Sequence, residues 1–137
     1  GTVPGKYEKQ GQLHDGEIYE LRRAAPAALT ANEYQQKAMG TLNPELSKRD
    51  VLINGVMGLC GEAGECIDLL KKYKFQGHML SVDKMIEELG DVLWYCAELA
   101  CGLGVTLEEV ATKNIGKLRK RYPEGFDADR SNERYGG

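Results

Sequence analysis

Two Thr-x-x-Glu segments, Thr30-Ala31-Asn32-Glu33 and Thr106-Leu107-Glu108-Glu109, constrain this chain more than any other feature. In such a capping box the hydroxyl accepts from the amide three residues on, and the Glu carboxylate accepts in return from the Thr amide. Each box therefore dictates where a helix starts. Ser47 with Asp50, and Ser81, supply two further starts. Gly40, Gly77, the pair Gly102 and Gly104, and Pro123 supply the stops. The punctuation predicts helices over about 31–40, 48–74, 81–101 and 107–122. No stretch alternates with the period of two that a half-buried strand needs. The expected fold is all-α and four-helix-bundle-like.

At 137 residues the chain has room for one domain and a modest core. Residues 29–126 are expected to form it, and residues 127–137 an irregular polar tail. Residues 1–28 mix Gly, Pro and charges without a steady period, and are expected to be a loose arm from which Tyr7, Ile18 and Tyr19 could dock. The chain starts with Gly1 rather than Met, which fits a trimmed expression tag. A net charge of −3 argues against a broad nucleic-acid surface. No segment approaches the roughly 20 apolar residues of a membrane span, and none reads as a signal peptide. The cysteines Cys60, Cys66, Cys96 and Cys101 form no C-x-x-C pair and sit among apolar residues. They are expected to be reduced, packed thiols in a cytoplasmic protein.

Within the second helix, Leu52, Val56, Leu59, Ala63, Cys66 and Leu70 form a stripe at spacings of three and four. In the third, Val82, Ile86, Leu89, Leu93, Cys96 and Ala100 repeat it. Both stripes are expected to be core.

Beside these stripes lie two acidic pairs. Gly61-Glu62-Ala63-Gly64-Glu65 and Glu87-Glu88-Leu89-Gly90-Asp91 each place two carboxylates three residues apart, one turn along one helix face. A solvated surface explains one such pair. Here the acids are flanked by Val51 and Leu69 on one helix and by Val92 and Leu99 on the other, and the interval from Glu65 to Glu88 suffices to turn back antiparallel. Four facing carboxylates repel unless a cation holds them, and oxygen-only ligands suit Mg²⁺ or Mn²⁺. Gly58, Gly61, Gly64 and Gly90 each cost helix stability, which points to a close approach by a neighbouring helix or a ligand.

Two groups of cations could serve a small polyanion or simply complement helix C-termini: Lys71, Lys72 and Lys74, and Lys117, Arg119, Lys120 and Arg121. Asn114 falls in the apolar stripe of the fourth helix, among Leu107, Ala111, Leu118 and Tyr122. A buried Asn there could bridge two helices or join Lys117 and Arg121 in a phosphate clamp.

GEAGE with its following lysines, then EELGDVLWY, then N-x-x-K-L-x-x-R-Y-P resemble, in that order, the MazG-like all-α nucleotide pyrophosphohydrolases, especially small phage and bacterial members. The resemblance covers about residues 30–126. It implies a helical fold assembling as a homodimer or homotetramer, and hydrolysis of nucleoside triphosphates to monophosphate and pyrophosphate with Mg²⁺. It carries the metal-ligand role to Glu62, Glu65, Glu88 and Asp91, and positions near the nucleotide to Tyr95, Asn114, Lys117 and Arg121. Lys72 and Lys74 could reach phosphates, and Tyr34 and Gln35 could shape a base pocket. Gly61 stands where the fuller motif has an acid, which leaves the number of ions open. Glu62 or Glu65 would hold or deprotonate the attacking water. Three other readings compete: a phosphoribosyl-ATP pyrophosphohydrolase, a non-catalytic nucleotide-sensing or interaction module, and a di-metal oxidase. The last wants Glu-x-x-His pairs, which this chain lacks.

Overall fold

The computed structural model describes residues 28–133. The expected N-terminal arm, with Tyr7, Ile18 and Tyr19, lies outside them except for Ala28. The described residues contain five helices: α1 (Ala31–Met39), α2 (Lys48–Gln76), α3 (Val82–Gly102), α4 (Leu107–Arg121) and α5 (Ala128–Glu133). No strand occurs among them, as the absence of alternation implied. Both capping boxes form. The Glu33 amide donates to Thr30 Oγ1 at 3.1 Å and the Thr30 amide to Glu33 Oε2 at 3.2 Å. The Glu109 amide donates to Thr106 Oγ1 at 3.1 Å and the Thr106 amide to Glu109 Oε2 at 2.7 Å. Gly77 closes α2 in the left-handed region at φ 69°, a conformation open to glycine without a Cβ penalty. The tail departs from expectation: Asp127 Oδ1 accepts from the amides of Asp129 and Arg130 and so starts α5.

Helices α2 and α3 form an antiparallel hairpin whose seam is set by glycine. A Cβ built on Gly55 would lie 3.2 Å from the Leu99 Cα, and one on Gly102 would lie 2.9 Å from Leu52 Cδ2. At Gly58 a Cβ would fall 2.1 Å from the ring of Tyr95, so the ring lies directly on the α2 backbone. The seam therefore runs along Val51, Gly55 and Gly58, facing Gly102, Leu99 and Tyr95. This is the flank that carries the acids, and it corrects the expected core. Val56 and Leu70 on α2, and Ile86, Leu89 and Leu93 on α3, are 45–60% exposed within the single chain. The reason is physical: the helices pack where missing side chains allow the closest backbone approach, and the bulky stripes are left on an outer face.

Helix α1 crosses the hairpin and is pinned to α3 by the Trp94 indole. Its Nε1 donates to the Ala38 carbonyl at 3.2 Å and to Thr41 Oγ1 at 2.9 Å. Two amides one turn apart on α1 then hold the start of α4. Gln35 Nε2 donates to the Val105 carbonyl at 3.1 Å, and Gln35 Oε1 accepts from the Leu107 amide at 2.8 Å. Asn32 Oδ1 accepts from the Glu108 amide at 3.1 Å, while Asn32 Nδ2 donates to Glu108 Oε2 at 2.8 Å. With Thr106 serving Glu109, the first three amides of α4 all have side-chain partners. Beyond that anchored end α4 contains no buried residue, and Val110, Ile115 and Leu118 are exposed. Among the described residues the buried apolar side chains are Ala38, Val51, Ala97 and Ala100. The cysteines are free, but Cys60 and Cys101 are exposed rather than packed, and Cys66 and Cys96 are half-buried. Burial pushes the Cys96 thiol pKa up. No helix among the described residues is long and apolar enough to cross a membrane.

Candidate metal centre

Extending the glycine-set register of the hairpin by one turn beyond Gly58 and Tyr95 puts Glu62 opposite Asp91, and a further turn puts Glu65 opposite Glu88. In the structure one carboxylate oxygen from each of Glu62, Glu88 and Asp91 lies within 4.8 Å of the others. Glu62 and Glu88 are half-buried, and Asp91 is exposed. Partial burial holds the Glu88 carboxyl pKa above the usual range. The negative charges of Glu62, Glu65 and Asp91 raise it further, as does a hydrogen bond with Glu62. The group disfavours its own ionisation, which is the electrostatic condition a bound divalent cation would relieve. Three carboxylates from two rigid helices make a hard donor set suited to Mg²⁺ or Mn²⁺.

Glu65, an expected fourth ligand, stands outside this group of three while remaining near enough for its charge to act on Glu88 and on Lys72. Tyr95 is fixed one turn below the acids by its contact with Gly58 and by an edge-on packing against Trp94, with ring centroids 5.0 Å apart. Tyr34 on α1 also borders the centre: burial and the charges of Asp91 and Cys96 raise its phenol pKa. Gln35 spends both ends of its amide on Val105 and on the first amide of α4, and with Asn32, Gln36 and Met39 it lines an open cavity.

The cations fall elsewhere. Lys72 is paired with Asp68 at 2.5 Å, one turn away on the same helix, and that partner raises its pKa. Lys74 sits 5.7 Å from the centroid of the Phe75 ring. Lys117 and Arg121 line an open cavity of about 640 Å³ on α4 with Lys113, Gly116 and Lys120, and none of the acids lines it. Asn114 is exposed, correcting the expectation of a buried inter-helix amide, since among the described residues the outer part of α4 has no neighbour to bury it. Within one chain, then, three of the four acids meet, while Lys117 and Arg121 stand apart from them. Of Gly58, Gly61, Gly64 and Gly90, only Gly58 has an atom close enough to meet an added Cβ; the other three face open space.

One pair escaped the sequence reading. Glu98 is wholly buried, and both its carboxylate oxygens accept from Asn54 Nδ2, at 2.8 and 2.9 Å. The available signal was its place seven residues after Asp91, on the same face of α3.

The family model described as the MazG nucleotide pyrophosphohydrolase domain matches residues 52–126, which include all four acids. The Gene 37 protein of Mycobacterium phage L5 is 41% identical over 73 residues, or 50% of this chain and 64% of the phage protein. The chain therefore spans less than two thirds of that relative's length. No solved structure matches. Because the family match runs over more than half of its length, this chain belongs to the MazG nucleotide pyrophosphohydrolase domain family.

Proposed function

We propose that this chain is a Mg²⁺-dependent hydrolase that converts (deoxy)nucleoside triphosphates to the monophosphate and pyrophosphate, with Mn²⁺ as a substitute ion and nucleotide-pool house-cleaning as its role. The observation that carries this reading is the meeting of Glu62, Glu88 and Asp91 within 4.8 Å. These residues would hold the ion, with Glu65 beside them, and a bound ion would offset phosphate charge and acidify a water. Glu65, exposed at the edge of the group, orients the attacking water and takes its proton, a role Glu62 can share. The water oxygen bonds to the α-phosphorus as the bridge to the β-phosphorus breaks and pyrophosphate leaves. Tyr95 borders the nucleoside, and Asn114, Lys117 and Arg121 meet phosphate oxygens, with Lys72 and Lys74 at the margin.

The separation of Lys117 and Arg121 from the acids gives the reading a second part. The chain works as a homodimer or homotetramer, in which a second copy covers Val56, Leu70, Ile86, Leu89 and Leu93 and completes the walls of the site. Apolar exposure on this scale along two adjacent helices supports such burial.

A screen of canonical and damaged (deoxy)nucleoside triphosphates, scoring monophosphate and pyrophosphate separately with Mg²⁺ and with Mn²⁺, tests the activity. Pyrophosphate release from any of them is the expected result, and release from none overturns the reading. Heavy-oxygen water should label the monophosphate; label in pyrophosphate would move the attack to the next phosphorus. Sedimentation should find no monomer at micromolar concentration.

A further inference from the structure

The buried Glu98 and its partner Asn54 lie on the same seam as the acids but play no part in metal binding as described. A carboxylate removed from water costs several kcal/mol unless it is well partnered, and only one amide group among the described residues donates to this one. The arrangement settles the orientation of that amide. Both Glu98 oxygens accept from the Asn54 NH₂, so Asn54 Oδ1 faces away. No described residue donates to Oδ1, and Asn54 is exposed. Glu98 thus presents Asn54 Oδ1 to solvent as an acceptor.

The position of this acceptor is informative. At about 100° per residue, Asn54, Gly58, Gly61 and Glu65 share one stripe of α2. Gly61 has open space where a side chain would be, and Tyr95 offers its ring over Gly58. From Asn54 to Glu62 is about 12 Å along the axis at 1.5 Å per residue. That span is comparable with the reach of a nucleotide from its phosphates to the exocyclic edge of its base. We infer that Asn54 selects the nucleobase, accepting from the exocyclic amine of a 4-amino pyrimidine or 6-amino purine, and that Glu98 is the positioning residue that holds it in the accepting orientation. A keto oxygen at the same place would meet Asn54 Oδ1, acceptor against acceptor. The inference rests on the pyrophosphohydrolase reading and adds the substrate class.

Matched nucleotides that exchange the exocyclic amine for a keto oxygen, with the adjacent ring nitrogen gaining a proton, test it: dCTP against dUTP, and dATP against dITP. The wild-type protein should favour the amino member of whichever pair it turns over by about tenfold or more in kcat/KM. Glu98→Gln should reduce the preference to within about threefold, because a neutral amide can donate to Asn54 Oδ1 and let Asn54 turn its NH₂ outward. The double variant Asn54→Leu/Glu98→Met removes the buried carboxyl and its partner together, should keep the fold, and should also lose the preference. A ratio measured within one sample is independent of how much of it is folded, so a purely structural pair would leave the ratio unchanged. An unchanged ratio in Glu98→Gln, or a wild-type preference for the keto member, overturns base selection alone. A wild-type protein that hydrolyses no nucleotide overturns the reading beneath it as well.

Discussion

The two halves of the α2–α3 seam carry carboxylates under opposite conditions. In the half around Gly55 and Gly58 the backbones close, and Glu98 is fully buried with an amide on both oxygens. In the other half no glycine contact draws the helices together, and Glu62, Glu88 and Asp91 face one another with only partial cover. The difference teaches where each charge finds its partner. Glu98 finds it inside the protein, so its role is to hold. The three acids find none, and the raised Glu88 pKa records the deficit. On the proposed function, the seam is satisfied by an amide at one end and by a cation at the other.

The largest effect is expected where a proposed metal ligand is removed. Asp91→Ala should lower turnover by more than about 100-fold, beyond what loss of a ligand's outer partner typically costs. Helix content by circular dichroism should be unchanged, and preserved turnover would take Asp91 out of the centre. At the closed half, Gly58→Ala forces the Tyr95 ring off the α2 backbone and should destabilise by about 1–3 kcal/mol in chemical denaturation. A neutral result would mean that the ring is free to move aside. Mg²⁺ at about 100 times its dissociation constant should stabilise the wild-type fold by about 2.7 kcal/mol, and the Asp91→Ala protein by much less.

A gentler test uses pH. Because the folded pKa of Glu88 is raised, its charged form is penalised in the metal-free fold. That penalty is fully present above the raised value and is relieved as pH falls through it towards the unfolded value. Mild acidification should therefore relieve the metal-free protein at this site, and the melting shift produced by Mg²⁺ should shrink as protons compete for the carboxylates. A Mg²⁺ shift that stays constant across that range would contradict the coupling. The smallest effect is expected at Lys72→Ala, where an exposed pair with Asp68 is lost and the melting temperature should not measurably change.

Much of this was legible in advance, and the reasons are local. Capping boxes act within four residues, so Thr30 and Thr106 announced α1 and α4 without reference to the rest of the fold. The acidic pairs were legible because an i,i+3 spacing guarantees a shared face, and the interval between them allows an antiparallel return. The packing face was not. Counting apolar residues favoured the Val56 and Leu89 stripes, whereas the helices meet through Gly55 and Gly58, which contribute almost no hydrophobicity and act by what they lack. Glu98 was missed because charge normally signals solvent, and only the facing Asn54 makes its burial tolerable. Asn114 was misjudged because a stripe implies a neighbour, and within one chain α4 has none along most of its length.

The anchoring of α4 at a single end has a mechanical consequence. A rod of 15 residues, or about 22 Å at 1.5 Å per residue, pivots about the Asn32 and Gln35 amides. Leverage magnifies whatever happens at that fulcrum. A tilt of a few degrees at the near end would swing Arg121 by more than an ångström, so truncating Asn32 would displace the guanidinium at the far tip.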